Sequence, residues 1–470
     1  MGKKKPSKCL LEKVSTSQNL HSAWKELNKS NPLSRGLSEE TIQSFGASLN
    51  SNFKKIRLQL KSDEYNFLET KGVIIQEKVK STGKIKKRPL QISEIPDRLI
   101  QRAIVRKIDK ILDKEFHLRN EASFAYLKGP GVRDALKVML QLYKQKYNIC
   151  FEADIENFFD TIDKKRLINK IFSALPDKSL NRLINSALSQ KVGNIVNFSE
   201  EDQSFFMSDG IPQGGALSPL FANIYLSDFD KIMLKKGFHL IRYADDFIVM
   251  CKTRKEAEEA YVASKNILEK KLGLQMHPLG DDDKAKTRIL TVGSKSLNFL
   301  GNTFTGALIQ PQKKTVSKLE DKIKEITQYR KDQTLLTVLR KIYNLLDGWI
   351  SSYCHAEIEY VIDKIYPILY ERLGVFGYKI QWLEKRKPIN YEQYQNAGLP
   401  DLKSVLSERR KSLMKHKRDY RIFKDFWKSA KKNPMGSSLE ILRNNKMIYL
   451  SHDQAITYRK KIRVRLHNFT

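Results

Sequence analysis

Residues 241–250 read Ile241-Arg242-Tyr243-Ala244-Asp245-Asp246-Phe247-Ile248-Val249-Met250. Two adjacent carboxylates stand between two apolar runs. That pattern predicts a strand, a tight turn carrying Asp245 and Asp246, and a returning strand. A turn that holds two acids side by side can anchor divalent metal. On its own it is equally an ordinary turn, because aspartate side chains bond nearby backbone. The rest of the chain decides between the two.

A third acid lies upstream, in Phe151-Glu152-Ala153-Asp154-Ile155-Glu156-Asn157-Phe158-Phe159-Asp160. Asp154 closes an apolar strand, where a side chain can point over a sheet edge. Set beside the Asp245-Asp246 turn, it can complete a cage for two Mg²⁺ ions, with Mn²⁺ as a substitute. Magnesium prefers oxygen ligands, so carboxylates are the right residue type. Phosphoryl transfer needs such a pair of ions, one to activate the attacking hydroxyl and one to stabilise the leaving pyrophosphate. Between the two strands lies Gly210-Ile211-Pro212-Gln213-Gly214-Gly215-Ala216-Leu217-Ser218-Pro219. Its small residues let backbone approach a nucleotide closely, and Gln213 can hydrogen-bond one. The plain alternative is a Pro-Gly loop before a helix.

Composition points the same way. Among 470 residues, 86 are Lys or Arg and 53 Asp or Glu, a net charge of +33. An excess this large suggests a polyanionic partner, with nucleic acid the first candidate and anionic membrane the rival. A hydrophobic share of 40% marks the bulk as globular. No run of 18 apolar residues and no signal peptide is present, so the expectation is a soluble, cytoplasmic protein with no membrane partner. Cys9, Cys150, Cys251 and Cys354 show neither CxxC nor Cys/His zinc spacing. Cys150 and Cys251 flank apolar strands and read as buried thiols.

Along the chain, residues 1–8 read as a basic tail and residues 9–70 as helical. A hairpin is expected over 72–93, turning at Ser81-Thr82-Gly83. An amphipathic helix follows, with Leu99, Ile100, Ala103, Ile104, Ile108 and Leu112 on one face. Residues 256–272 read as a helix and residues 315–373 as helical throughout, with Pro367 a kink. Asp281-Asp282-Asp283 has no flanking strand and reads as a solvated loop. Residues 401–432 hold twelve Lys or Arg against four acids, with Tyr420, Phe423, Phe426 and Trp427 interleaved. Such a stretch can grip RNA through charge and stacking, although those aromatics can also pack inward. A short basic strand is expected at 459–465.

Taken together, FEADIENFFDTI, GIPQGGALSPLFANIYL and RYADDFIVM resemble motifs A, B and C of reverse transcriptases. The likeness extends to Lys86–Leu90 and Asp97–Gln101 in the fingers, and to Lys286–Arg288 and Asn298–Gly301 at the palm's end. Asp347–Tyr353 resembles the thumb of group II intron enzymes, and Asn19–Trp24 their N-terminal extension. It covers roughly residues 15–370.

The resemblance implies an α+β right-hand polymerase fold with fingers, palm and helical thumb, and a basic, mainly helical C-terminal region. The expected bounds are 1–70 for the N-terminal extension, 71–150 for the fingers and 151–305 for the palm, with a finger-like insertion at 163–208. The thumb is expected at 306–375 and an RNA-binding region at 376–470. The resemblance makes Asp154, Asp245 and Asp246 the catalytic metal triad, with Ile155 as a further metal contact. Phe159 matches the steric gate against a ribose 2′-hydroxyl; Phe158 and Phe159 could also both be core, and one of the pair is expected to be. Lys87 and Arg88 match the triphosphate grip, and Gln213 with Gly214 the nucleotide-facing turn. Arg409, Arg410, Lys417 and Arg418 are the candidate RNA contacts.

The implied activity is RNA-directed DNA synthesis from dNTPs, on a structured non-coding RNA that is template, scaffold or both, with DNA as product. Oligomerisation stays open. Ser34–Ser38 and Phe124–Gly131 depart from the usual "GVDG" and "YGFRPGRS" of intron enzymes, and no Cys-rich endonuclease segment follows the thumb. Those departures look more like stand-alone reverse transcriptases of antiphage defence. An intron maturase without endonuclease is the first alternative, and an RNA-binding protein with a relic palm the second. The complete acid triad and Phe159 argue against the relic.

Overall fold

Strands β1 (Lys71–Lys78) and β2 (Ile85–Ile92) form an antiparallel hairpin. Strands β3 (Ile149–Ala153), β4 (His239–Tyr243), β5 (Asp246–Cys251) and β6 (Arg288–Thr291) form a four-stranded sheet in the order β4-β5-β3-β6. The computed structural model describes residues 8–78, 85–282, 285–306, 308–414, 439–443 and 446–450. The chain divides into two units: Met1–Gly131 with Phe151–Ile289, and Val132–Cys150 with Leu290–Thr470.

In the first unit, β5 is buried at every position after Asp246. A strand covered on both faces reads as a continuous apolar run, as Phe247–Cys251 does. Phe247 meets Phe151 and Phe229 edge-on, with ring centroids 5.9 and 5.0 Å apart. Full burial of each such ring contributes on the order of 1.5–3 kcal/mol. Phe229 comes from the helix Ser218–Lys235, whose Pro219 sits in the first turn, where the missing N–H costs nothing. The stripe expected on the helix Ile95–Phe116 is wholly buried, from Leu99 to Leu112. Four short helices between Leu10 and Lys61 fill the N-terminal helical stretch. The turn Ser81-Thr82-Gly83 lies outside the described residues, as do Asp283 and the basic tail to residue 7. Asp281 and Asp282 are exposed, and Cys150 and Cys251 are buried free thiols.

The second unit holds the helix Val132–Lys144 and a three-stranded antiparallel sheet: β7 (Leu297–Phe299), β8 (Asn302–Phe304) and β9 (Ile309–Pro311). The stretch expected to be helical from 315 to 373 is instead three helices: Lys313–Ile326, Leu335–Tyr353 and Glu359–Lys379. The second starts because the Thr334 side chain caps it by accepting from the Thr337 N–H. Its buried stripe is Val338, Ile342, Leu346 and Ile350. The third helix runs on through Pro367. Beyond it, helices Tyr391–Asn396 and Leu402–Met414 precede a hairpin of β10 (Leu439–Arg443) and β11 (Lys446–Leu450). That region therefore contains strands as well as helix. The basic strand expected at 459–465 and the aromatics Tyr420–Trp427 lie outside the described residues. Among the described residues, no helix is long and apolar enough to cross a membrane.

Candidate active site

The acidic hairpin differs from expectation by one residue. Tyr243 pairs with Asp246, so the two-residue turn is Ala244-Asp245 and Asp246 opens β5. Ala244 has a φ of 62°, the left-handed region that alanine disfavours. This places the two carboxylates in different settings, one on the turn and one on the strand. Burial of its surroundings, then the charges of Asp245, Asp154 and Glu152, push the Asp246 carboxyl up to about 7. Asp246 itself is exposed, and a cation would relieve the negative charges that surround it. Tyr126, also left-handed at φ 63°, faces the same charges. Desolvation and then Asp245 push its phenol up to about 12.

Asp154 follows β3 directly, and the loop after it is pinned by backbone bonds. His277 N donates to the Asp154 carbonyl at 3.2 Å, and Glu156 N to Gln275 O at 2.8 Å. Ile155 is buried and bridges Met276. Its side chain has no ligating atom, so only its carbonyl could reach an ion. Lys286 Nζ donates to Asp154 Oδ2 at 2.9 Å and to His277 Nε2 at 2.7 Å, while His277 Nδ1 meets Glu156 Oε1 at 2.9 Å. Glu152, the next acid back, pairs with Arg288 at 2.9 Å.

The closed carboxylate cage expected from the sequence is therefore not what the side chains form. Among the described residues, no three His, Cys, Asp or Glu side chains converge closely enough to hold a metal ion as they stand. An ammonium satisfies Asp154 at lower electrostatic cost than two more carboxylates would. The donor chemistry nonetheless fits a hard divalent cation: three carboxylates, two of them raising the pKa of the third. Asp154 would exchange Lys286 for the ion.

The Phe158-Phe159 pair separates as its alternatives required. Phe158 is 2% exposed and Phe159 half-buried, with ring centroids 5.4 Å apart. The Phe159 carbonyl accepts from Ile211 N at 2.9 Å. A Cβ on Gly210 would stand 2.0 Å from that same carbonyl oxygen, so only glycine fits there. On its other side the loop meets β2. Gln91 N donates to Gln213 O at 2.7 Å, and a Cβ on Gly214, whose φ is 120°, would lie 2.5 Å from Gln91 O. The Gly-rich loop thus ties the backbone at Phe159 to the strand that carries Lys87 and Arg88. A cavity of about 180 Å³ opens beside it, lined by Gln91, Asp160, Lys164, Gln190, Ser208 and Gln213. Arg88 is exposed. Lys87 is paired with Asp202 at 2.7 Å and Glu201 at 3.4 Å. Its hydrogen bond to Asp202 raises its pKa.

Sequence reading missed Arg242 and Gln101. Arg242 is 1% exposed; a charge inside an otherwise apolar strand was the available signal. Gln101, also buried, accepts from Ala216 N at 2.8 Å and so supports the Gly-rich loop from behind.

In the second unit, Arg409 makes a two-pronged pair with Asp347, at 2.6 and 2.7 Å. Arg410 bonds Glu359 and the carbonyls of Cys354 and Ala356. Both guanidinium groups are engaged in holding the helix Leu402–Met414 to its neighbours. Lys417 and Arg418 lie outside the described residues.

Residues 75–304 match the reverse transcriptase (RNA-dependent DNA polymerase) family, and residues 316–394 the group II intron maturase-specific domain. The second match runs past the expected thumb boundary at 375. Protein YkfC of Escherichia coli (strain K12) is 27% identical over 262 residues, 47% of this chain and 65% of that protein. The group II intron-encoded protein LtrA of Lactococcus lactis subsp. cremoris is 31% identical over 204 residues, 43% of this chain and 31% of that protein. The chain thus spans less than two thirds of either relative. A chain of a solved partial Cas6-RT-Cas1–Cas2 complex is 27% identical, with a TM-score of 0.33, covering 56% of this chain and 42% of that one.

Proposed function

With residues 75–304 belonging to the reverse transcriptase family and residues 316–394 to the group II intron maturase-specific domain, we propose that this chain copies an RNA template into DNA. The observation that carries the proposal is the juxtaposition, in one unit, of three carboxylates close enough to shift one another's titration, a half-buried aromatic ring, and a glycine loop bonded to that ring's backbone carbonyl. Asp154, Asp245 and Asp246, with the Ile155 carbonyl, would hold two divalent cations, Mg²⁺ or Mn²⁺. When bound, these lower the pKa of the primer hydroxyl and stabilise the leaving pyrophosphate.

The chain's own residues do the rest. The Gln213-Gly214 backbone, fixed against Gln91, forms a rigid wall for the incoming dNTP. The Phe159 ring occupies the space a ribose 2′-hydroxyl would need, which selects deoxynucleotides. Arg88, with Lys87 released from Asp202, grips the triphosphate. Lys286 holds Asp154; with cations in place its side chain would be free to lie beside the transferring phosphate charge. Positioning of this kind can supply much of the barrier reduction.

The setting we propose is antiphage defence in the bacterial cytoplasm, with a structured non-coding RNA as template or scaffold. It is supported by the departures at Ser34–Ser38 and Phe124–Gly131 from the intron-enzyme pattern. The second reading, an intron maturase, is favoured by the match over residues 316–394. Sequencing the RNA that co-purifies from the native host separates them. A compact non-coding RNA supports defence, and an intron lariat overturns it. If the purified protein with Mg²⁺ extends no primer on any RNA template, the polymerase reading itself fails.

A further inference from the structure

Arg242 is the largest side chain that the described residues bury completely. A guanidinium has five N–H donors in a fixed fork, and all five are used. Nε donates to Asp230 Oδ1 at 2.6 Å and Nη2 to Asp230 Oδ2 at 2.5 Å. Nη2 also donates to Ser123 Oγ at 2.9 Å. Nη1 donates to Asn223 Oδ1 at 3.1 Å and to the Ala244 carbonyl at 2.9 Å. The partners come from three places. Asn223 and Asp230 are on the helix Ser218–Lys235 that leaves the Gly-rich loop, Ser123 is on an extended segment, and Ala244 is the first residue of the acidic turn. Backbone bonds reinforce the set: Arg242 N donates to Ala122 O at 2.7 Å and Phe124 N to Arg242 O at 3.0 Å. Asn223 Nδ2 also donates to Ala125 O at 2.8 Å.

Ala244 holds a left-handed backbone, φ 62°, that alanine leaves unless something over-determines it. A two-residue hairpin turn calls for such a φ at its first residue, and the bond from Nη1 is the side-chain contact that grips the Ala244 carbonyl there. We infer that Arg242 is a positioning residue: its guanidinium, anchored by Asp230, locks the left-handed Ala244 and thereby fixes the direction in which Asp245 presents its carboxylate. This rests on the polymerase reading above for what Asp245 does, but not for the geometry. Lysine at 242 keeps the charge for Asp230 yet cannot reproduce the fork. The turn is then free to relax, and the cation-binding acid with it.

The test is a double-mutant cycle in the full chain: Arg242→Lys, Ala244→Gly and both together. Glycine adopts the left-handed region without penalty, so it removes the need for the lock. Two quantities are read, Mn²⁺ affinity by electron paramagnetic resonance and single-nucleotide extension as a function of Mg²⁺, with thermal melting as the folding control. In the alanine background, Arg242→Lys should weaken Mn²⁺ affinity and lower kcat by about tenfold or more, with KM for the dNTP little changed. In the Ala244→Gly background both losses should shrink to about threefold or less. Losses of equal size in the two backgrounds would overturn the inference, because mere core damage ignores residue 244. If Arg242→Lys does not fold, Asn223→Ala, which loosens the same Nη1, takes its place in the cycle with the same expected coupling. If the unmodified protein extends no primer, the polymerase reading fails, while the Mn²⁺ cycle still decides the role of Arg242.

Discussion

Replacing Gly214 with alanine should damage the nucleotide wall more than its single methyl suggests. The new Cβ would stand 2.5 Å from the Gln91 carbonyl oxygen, where real contacts stay above 3.0 Å. The obstacle is backbone, and it cannot rotate away. Gln91 also donates to Gln213 O at 2.7 Å, so β2 and the loop must part, by about half an ångström, at the bond that joins them. The residue's φ of 120° adds strain on the order of 1–3 kcal/mol for any residue with a Cβ. A loss of about 2–3 kcal/mol lowers the melting temperature of a unit this size by roughly 4–10 °C. Displacing Gln213 should cost about ten- to a hundredfold in kcat/KM for the dNTP. Gly215 is the milder comparison: a Cβ there meets side-chain atoms, Gln101 Oε1 at 2.9 Å and Ser218 Oγ at 3.4 Å, and no backbone, so the cost is a strained bond from Ala216 N to Gln101 and not a parted strand. Single-nucleotide extension and calorimetry on both variants check this. Equal, near-normal behaviour of Gly214→Ala and Gly215→Ala would refute the reasoning.

Other expectations follow from the same geometry. Phe159→Ala should raise ribonucleotide incorporation relative to deoxynucleotide without large loss of stability, whereas buried Phe158→Ala should cost about 3–5 kcal/mol in a denaturant titration. An unchanged sugar ratio in Phe159→Ala would remove the gate assignment. At the C-terminus, Lys417→Gln with Arg418→Gln should weaken RNA binding and flatten its salt slope by about 1.5 units. Arg409→Gln and Arg410→Gln should instead show mainly as a lower melting temperature, because their partners Asp347 and Glu359 are within the fold. Salt titrations of RNA affinity, beside melting curves, separate the two pairs.

Much of the site was legible because its parts are local in sequence. The apolar runs flanking Asp245 and Asp246 dictate a hairpin, and the stripe from Leu99 to Leu112 dictates a buried helix. What sequence could not supply was pairing across long separations. Lys286 lies 132 residues from the Asp154 carboxylate it contacts, and nothing in either segment announces the contact. The turn was misread by one residue because Ala244 occupies a conformation its side chain disfavours, and the Arg242 bond to its carbonyl is not visible in the sequence. The basic residues 409 and 410 looked like a nucleic-acid grip by charge alone. Their acids, Asp347 and Glu359, sit more than fifty residues upstream. The break between helices near residue 330 did leave a signal, the mostly polar run Thr327-Gln328-Tyr329-Arg330-Lys331-Asp332-Gln333-Thr334 between Ile326 and Leu335, which ends on the capping residue.

In the function proposed above, these three carboxylates carry metal-dependent DNA synthesis on an RNA template. Primer extension by Asp245→Asn, with Mg²⁺, an RNA template and dNTPs, tests it most directly. The substitution keeps the side chain's shape and removes one ligand charge. Extension should fall by on the order of a thousandfold or more, while affinity for the RNA stays at the level of the unmodified protein. Near-normal extension by Asp245→Asn would mean that the Asp245 carboxylate holds no catalytic cation.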